Sequence, residues 1–414
     1  MLIFQNIYFV YKCIQITTIL NDTVSICNNI ELHIVYICKL IVVYICSFIM
    51  IQERYFPPKL VEDQLNQWGN KLAISNIGSS VENRPIQCIT LGEGDLKILL
   101  WSQMHGDEST TTRALLLLLP WLLAPEQKPL RDSLSVRVIP QLNPDGAFAY
   151  TRENANGIDL NRDAINLSQP ESRCLKDCFD GFQPDYCFNL HDQRTIYGVD
   201  SFPVPATLSF LAPAADNTRK ITPARSKAMK LIFDIAAHLT DDLPNGIGRF
   251  DDTYNPNCVG DTFSSLATPT LLFEAGHFQN DYARSKTVGF VLKALQKALQ
   301  SIASQEYQSK RVEDYFSIPE NSKSFYDLLL IGATITSEGK TTKNQFLVLQ
   351  YEERLQNKKL FFLPRMVAFS SEKPIQKFHR EIKLSDEFKT EQIHFSINKI
   401  FKNPVFDKLL SVIS

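Results

Sequence analysis

The chain has 414 residues, 44% of them apolar and 21% charged, with a formal net charge of -2. That length suits one large α/β domain or two domains, and the composition is that of a folded protein and excludes a disordered one. The near-neutral charge balance supplies no broad attraction to nucleic acid or to an anionic membrane, so polyanion binding is not the expected activity.

The first 49 residues differ from the rest. Between Met1 and Ile49 there is no Gly, Ala, Pro, Arg or Trp, while Ile, Tyr, Asn, Phe and Cys recur. One reading is a mis-assigned start, in which Met50 is the true first residue and translated AT-rich non-coding DNA precedes it. The other is a membrane anchor or uncleaved signal formed by IVYICKLIVVYICSFIM, residues 34–50. Lys39 interrupts that run, it is short of the roughly 20 residues of a span, and no small-residue cleavage site follows it. With Met50 as the start nothing exports the protein or ties it to a membrane, and the expected location is cytoplasmic. Of the nine cysteines, Cys13, Cys27, Cys38 and Cys46 lie in this segment. The remainder, Cys88, Cys174, Cys178, Cys187 and Cys258, form no disulfide framework and suit a reducing compartment. Cys174 and Cys178 lie one helical turn apart, but without a second pair they are expected to be ordinary thiols on a helix.

From residue 85 onward strand and helix patterns alternate. PIQCITLGE and LKILLWSQ are predicted strands joined by a turn carrying Gly92 and Gly94, and SLSVRVIPQL is a third. Between the second and third, RALLLLLPWLL is a predicted helix that Pro120 is expected to end or kink near Leu119. PDYCFNLHD and TPTLLFEAG are short apolar runs that deliver His191 and Glu274 at their C-terminal ends. ARSKAMKLIFDIAAHL and SKTVGFVLKALQKALQSIA complete the helices. This alternation predicts an α/β fold with a mixed, largely parallel sheet and helices on both faces. Ligands of such sheets sit beyond the carboxyl ends of the strands, where these polar residues fall. After about residue 318, SFYDLLLIGATI, NQFLVLQYEE and LFFLPRMVAFS suggest a small β-rich appendage without a catalytic cluster.

The polar stretch HGDE, between one apolar run and the next, places His105 and Glu108 three apart at the end of a strand and the first turn of a helix. That spacing lets an imidazole and a carboxylate converge, although H-x-x-E is common and Glu108 would also suit a helix N-terminus. His191 at the end of another strand completes two His and one Glu, a zinc ligand set that leaves a fourth position open for water. Asp107, pointing elsewhere, is assigned no role.

HGDE, NPDG (143–146), TRENANGIDLNRD (151–163), the NLH ending at His191 and the FEAG around Glu274 together resemble the successive motifs of the zinc metallocarboxypeptidases, the relatives of carboxypeptidase A. The resemblance spans roughly residues 85–300, in the family's order, and neither HExxH nor HxxEH occurs. It implies an α/β/α catalytic domain over 50–317, with 1–49 the doubtful segment and 318–414 the β-rich region. It implies one zinc per chain, held by His105, Glu108 and His191. Glu274 matches the general base, Arg152 the cation that faces the developing oxyanion, and Asn161 with Arg162 the pair that binds a substrate's terminal carboxylate. Asp159 matches the carboxylate that orients His105, and Tyr254 the tyrosine that closes over substrate. Asp192 and His277 are flanking groups, and His33, His238, His379 and His394 receive no assignment.

The implied activity is hydrolysis of the C-terminal peptide bond of a peptide. No propeptide is evident, and the short connection from NPDG to DLNR is similar to compact bacterial-type members. It is also similar to the succinylglutamate desuccinylase and aspartoacylase group, which cleaves N-acyl amino acids with the same zinc set and carries a small β-rich C-terminal domain. That group is the rival expectation; a catalytically dead binding protein on the same fold has little support with every ligand present. Side-chain preference stays open, because Val259 to Thr262 lie near the pocket base and a one-residue slip exchanges an apolar floor for Asp261. Oligomeric state is likewise not expressed in the sequence.

Overall fold

Apolar runs bounded by turn residues become the strands of an eight-stranded sheet. The structure is a computed structural model, and it describes residues 53–200, 202–337, 340–384 and 393–394. The segment 1–49, with both of its readings, lies outside these residues. In chain order the main elements that build and cover the sheet are β1 (Ala73–Ser79), β2 (Pro85–Leu91), β3 (Leu96–Ser102), α1 (Thr110–Leu123), β4 (Leu134–Ile139), α2 (Pro144–Ala149), α3 (Pro170–Phe182) and β5 (Tyr186–Asp192). There follow β6 (Tyr197–Val199), β7 (Leu208–Leu211), α4 (Pro223–Leu239), β8 (Ile247–Arg249), α5 (Val259–Ser265), β9 (Thr270–Ala275) and α6 (Ser285–Ser304).

The sheet order is β1-β2-β4-β3-β5-β9-β7-β8. Its centre, β4-β3-β5-β9, is parallel, while β2 joins β4, and β7 joins β9, in antiparallel fashion. The largely parallel expectation holds for that centre. Although β2 and β3 are consecutive, β4 inserts between them. Gly92 permits this: at φ +79° it brings the turn against the start of β4, where a Cβ would lie 2.1 Å from the Leu134 carbonyl oxygen.

Helices cover both faces. Leu99 and Trp101 of β3 pack with Phe179 of α3 and Phe263 of α5, whose rings stack at 4.0 Å. Ile98 and Leu100 alternate to the opposite face, also fully buried, on the side where α6 packs against α1 and α4. The expected end of α1 near Leu119 is corrected: the helix runs unbroken through Pro120 to Leu123. Pro120 sits in the last turn, so its missing N–H removes only one hydrogen bond near the helix end. Burial of Leu118, Leu119 and Leu122 outweighs that loss. Among the described residues no helix is long and apolar enough to cross a membrane.

Past α6 the chain turns to strands, as the change in texture suggests. β10 (Asn321–Lys323) pairs with β6, and β11 (Phe325–Ser337), β12 (Lys340–Gln356) and β13 (Lys359–Ser370) form an antiparallel meander. β14 (Lys377–Lys383) and β15 (Ile393–His394) run parallel to β11. Leu328, Leu330, Leu347, Leu349 and Met366 form a core for this second sheet.

Candidate metal centre

β3 ends at Ser102 and leads into a loop whose first residue, Gln103, has a φ of 50°. The chain then passes through His105 toward α1. Gly106 makes the turn sterically possible, since a Cβ there would lie 1.9 Å from the Gly146 carbonyl carbon. From the other side Asn143 donates its side-chain amide to the Met104 carbonyl (3.1 Å) and accepts the Gly146 N–H (2.8 Å). HGDE and NPDG are therefore one interlocked pair of loops, and without these bonds buried Asn143 would leave polar atoms unsatisfied.

His105 and Glu108 leave this loop, and His191 meets them from the end of β5, all of whose residues are buried. His105 Nδ1 lies 2.8 Å from Glu108 Oε1, His191 Nδ1 lies 3.0 Å from Oε2, and the two Nδ1 atoms are 3.2 Å apart. One ligand atom from each of the three residues falls within 4.8 Å of the others. Glu108 Oε2 also accepts the Asp192 N–H at 3.1 Å, and Asp192 in turn accepts the Thr110 N–H (3.1 Å) and hydroxyl at the start of α1. Asp107 is not one of the converging groups. Burial, then Glu108, raise its pKa to about 6.

Asp159 fixes the orientation of His105. Its Oδ1 lies 3.0 Å from Nε2 and, as a carboxylate, can only accept, so Nε2 carries a proton and Nδ1 is the nitrogen that faces Glu108. Between Nδ1 and that carboxylate there is room for positive charge, a proton on the ring or a cation in its place. Burial would lower the His105 pKa, but Glu108 and Asp159 outweigh it and raise it to about 9. Burial would raise that of Glu108, but His105 and His191 hold it well below the usual carboxylate range. His191 itself is lowered, chiefly by burial. Burial also opposes ionisation of Asp159, yet His105 and Arg152 hold its pKa down. Two imidazoles and one carboxylate, buried and fixed from behind, suit a divalent metal such as zinc with an open coordination position. Asp159→Ala is expected to weaken zinc binding about 10- to 100-fold. Competition with a chromophoric chelator measures this, and an unchanged affinity would mean that another group orients His105.

The remaining expected residues surround this cluster at different depths. Arg152 Nε donates to Asp159 (3.1 Å) and its Nη1 to Glu108 (3.3 Å), which keeps a permanent cation at the rim. Glu274 on β9 is the Cα partner of His191 in the parallel β5–β9 pairing. Burial, and then the Glu108 carboxylate, push its pKa well above the usual range. Asp159 also accepts the Asn161 N–H (2.8 Å), and Asn161 Oδ1 accepts the Val259 N–H (2.9 Å), which leaves the amide NH2 as its donor end. Arg162 is exposed and donates to the Asn161 carbonyl (2.7 Å) and to Cys258 Sγ (3.0 Å). Asp261 is held by its own loop, accepting the Asn255 N–H at 3.2 Å, and burial raises its pKa to about 6.

Tyr254 is half-buried on the loop after β8, and no hydrogen bond or ring contact among the described residues joins it to the centre. Tyr197 on β6 has no sequence signal of its own. Its hydroxyl pKa is raised by burial and by Glu274, which places it in the field of that carboxylate. Cys88, Cys174, Cys178, Cys187 and Cys258 are free thiols, with Cys174 and Cys178 together on α3.

The family model for zinc carboxypeptidase matches residues 62–191. This range contains His105, Glu108, Arg152, Asp159, Asn161, Arg162 and His191, while Glu274 and Tyr254 lie beyond it. The chain is similar to carboxypeptidase 2 of Trichophyton rubrum, with 31% identity over 123 residues, 29% of this chain and 21% of that protein. It is similar to carboxypeptidase M of Mus musculus, with 31% identity over 110 residues, 22% of this chain and 25% of that protein. The chain thus spans a quarter or less of the length of these relatives. A solved structure from Shewanella denitrificans, named "Putative carboxypeptidase A", shares its fold, with a TM-score of 0.50 and 18% identity over 61% of this chain and 71% of that one.

Proposed function

We propose that the protein is a zinc-dependent hydrolase that removes the C-terminal residue of a peptide, a reading supported by the match of residues 62–191 to the zinc carboxypeptidase family model. One observation carries the proposal: His105 Nδ1, His191 Nδ1 and both Glu108 oxygens converge beside Glu274, the register partner of His191. His105, Glu108 and His191 would hold one zinc ion, which when bound supplies Lewis-acid chemistry, acidifying water and polarising a carbonyl.

The chain's own residues supply the rest. Glu274 takes the proton of the attacking water and delivers it to the leaving amine, a transfer suited to a carboxylate whose basicity burial raises. Arg152 faces the negative charge that grows on the carbonyl oxygen. Arg162 and the donor end of Asn161 bind the terminal carboxylate, which limits cleavage to the last peptide bond. Tyr254 belongs to this reading as a group that would have to move to reach substrate. The division into a catalytic segment over 50–317 and an appended segment over 318–414 is part of the same proposal. So is a reducing, cytoplasmic location, which the free thiols support.

The test is incubation of the zinc-loaded chain with a blocked dipeptide, with its C-terminal amide, and with N-acetyl and N-succinyl amino acids. Release of the C-terminal residue from the free-acid dipeptide alone supports the proposal; release from an N-acyl amino acid selects the deacylase instead. Arg162→Ala is expected to lower kcat/KM on the dipeptide about 10- to 100-fold, the loss of one charged hydrogen-bond partner. An unchanged kcat/KM would remove Arg162 from carboxylate recognition.

A further inference from the structure

The segments that follow the catalytic strands are held by the appended strands. Past His191, Gln193 accepts the side-chain N–H of Asn321 on β10 at 2.9 Å. Thr195 accepts twice, at its carbonyl from Nε2 of His379 on β14 (2.7 Å) and at its hydroxyl from Gln350 on β12 (2.9 Å). Past Glu274, Gln279 donates to the His379 carbonyl (2.7 Å), and Tyr282 donates its hydroxyl to Asp327 on β11 (2.9 Å). Asp327 also accepts the side chain of Gln350 and the Tyr351 N–H, which closes the network. Ahead of Arg152, Tyr150 donates to Glu353 on β12.

His379 stands at the middle of these contacts. Its ring stacks on Phe325 at 4.7 Å and 12°, and meets the His277 ring at 4.2 Å. Burial lowers its pKa to about 4, so the ring is neutral at ordinary pH and donates from Nε2. Buried Arg284 bridges the same two segments, donating to the Ala275 carbonyl (3.0 Å) and to the Gln193 carbonyl (2.8 Å).

We infer that His379 is a positioning residue for the metal centre: through Thr195 and His277 it fixes the ends of β5 and β9, and with them His191 and Glu274. The appended sheet is then a working part of the site. Segments beyond strand ends are ordinarily the mobile part of an α/β protein, whereas here both enter a buried, mutually supporting hydrogen-bond network. Displacing a reacting group by about 1 Å costs on the order of 10²-fold in rate, so a partial loosening at Thr195 is expected to reach kcat.

The inference rests on the hydrolase reading, and the experiment separates the two. His379→Phe keeps a ring between Phe325 and His277 but cannot donate to Thr195; His379→Gln keeps an amide donor. With the full zinc-loaded chain and a blocked dipeptide, kcat is expected to fall about tenfold in His379→Phe with KM within about twofold, and to return to within about threefold of wild type in His379→Gln. A wild-type kcat in the Phe variant overturns the inference, as does equal impairment in both. Tyr282→Phe removes only a hydroxyl, so it serves if His379→Phe does not fold. It is expected to lower kcat at least threefold, and a smaller change counts against the inference. Amide exchange over residues 192–197 and 275–282 is read alongside and needs no substrate. Should wild type cleave no peptide, the hydrolase reading fails while faster exchange in His379→Phe still supports the buttress; unchanged exchange overturns it.

Discussion

Glu274→Gln is expected to lower kcat by about 10²- to 10⁴-fold, the usual contribution of a positioned general acid–base group, while KM stays within about threefold. The substitution is nearly isosteric but removes the carboxyl at the end of β9 that can take and return a proton beside His191. Glu274 is not among the converging ligand atoms, so bound zinc should remain at one per chain. The zinc-free variant should be at least as stable as wild type, because a carboxylate disfavoured by burial and by Glu108 has been replaced by a neutral amide. Steady-state kinetics with metal analysis on the same preparation checks both parts. Undiminished turnover would remove Glu274 from the chemistry.

His191→Ala is expected to act through the metal. Zinc binding free energies of roughly 10–16 kcal/mol in four-ligand protein sites put one ligand at about 2.5–4 kcal/mol, so affinity should fall about 10²- to 10³-fold. His191 is buried at the end of a strand, and on its loss Glu108 Oε2 still accepts the Asp192 N–H of β5. Activity should therefore return only at zinc concentrations raised by the same factor. Competition with a chelator of known affinity measures the first effect and a zinc titration of rate the second. An affinity equal to wild type would place the ion elsewhere.

The centre was legible because its chemistry restricts residue type. His105 and Glu108 stand on the loop just past β3, and His191 and Glu274 at the ends of β5 and β9, each following an apolar run. Asp159 was legible only through the family motif; its bond to His105 joins residues far apart in sequence. Strand order was less accessible. Nothing local in PIQCITLGE or LKILLWSQ announces that β4 will pass between them, because the pairing is decided by burial across the whole sheet. The expectation that α1 would end near Leu119 gave a local rule too much weight against a buried helix face. Least visible was His379. It has no periodic or motif signal, and its partners Thr195 and His277 lie in other segments, so only the folded chain brings them together.

The most direct measurement of the central claim is to strip the full chain of metal with a chelator and then titrate it with zinc. Release of the C-terminal amino acid from a blocked dipeptide is followed throughout. The account expects no release from the stripped protein, a rise proportional to added zinc, and a plateau at one equivalent per chain. Full activity in the stripped protein, or a zinc-loaded protein that leaves the dipeptide intact, would contradict it.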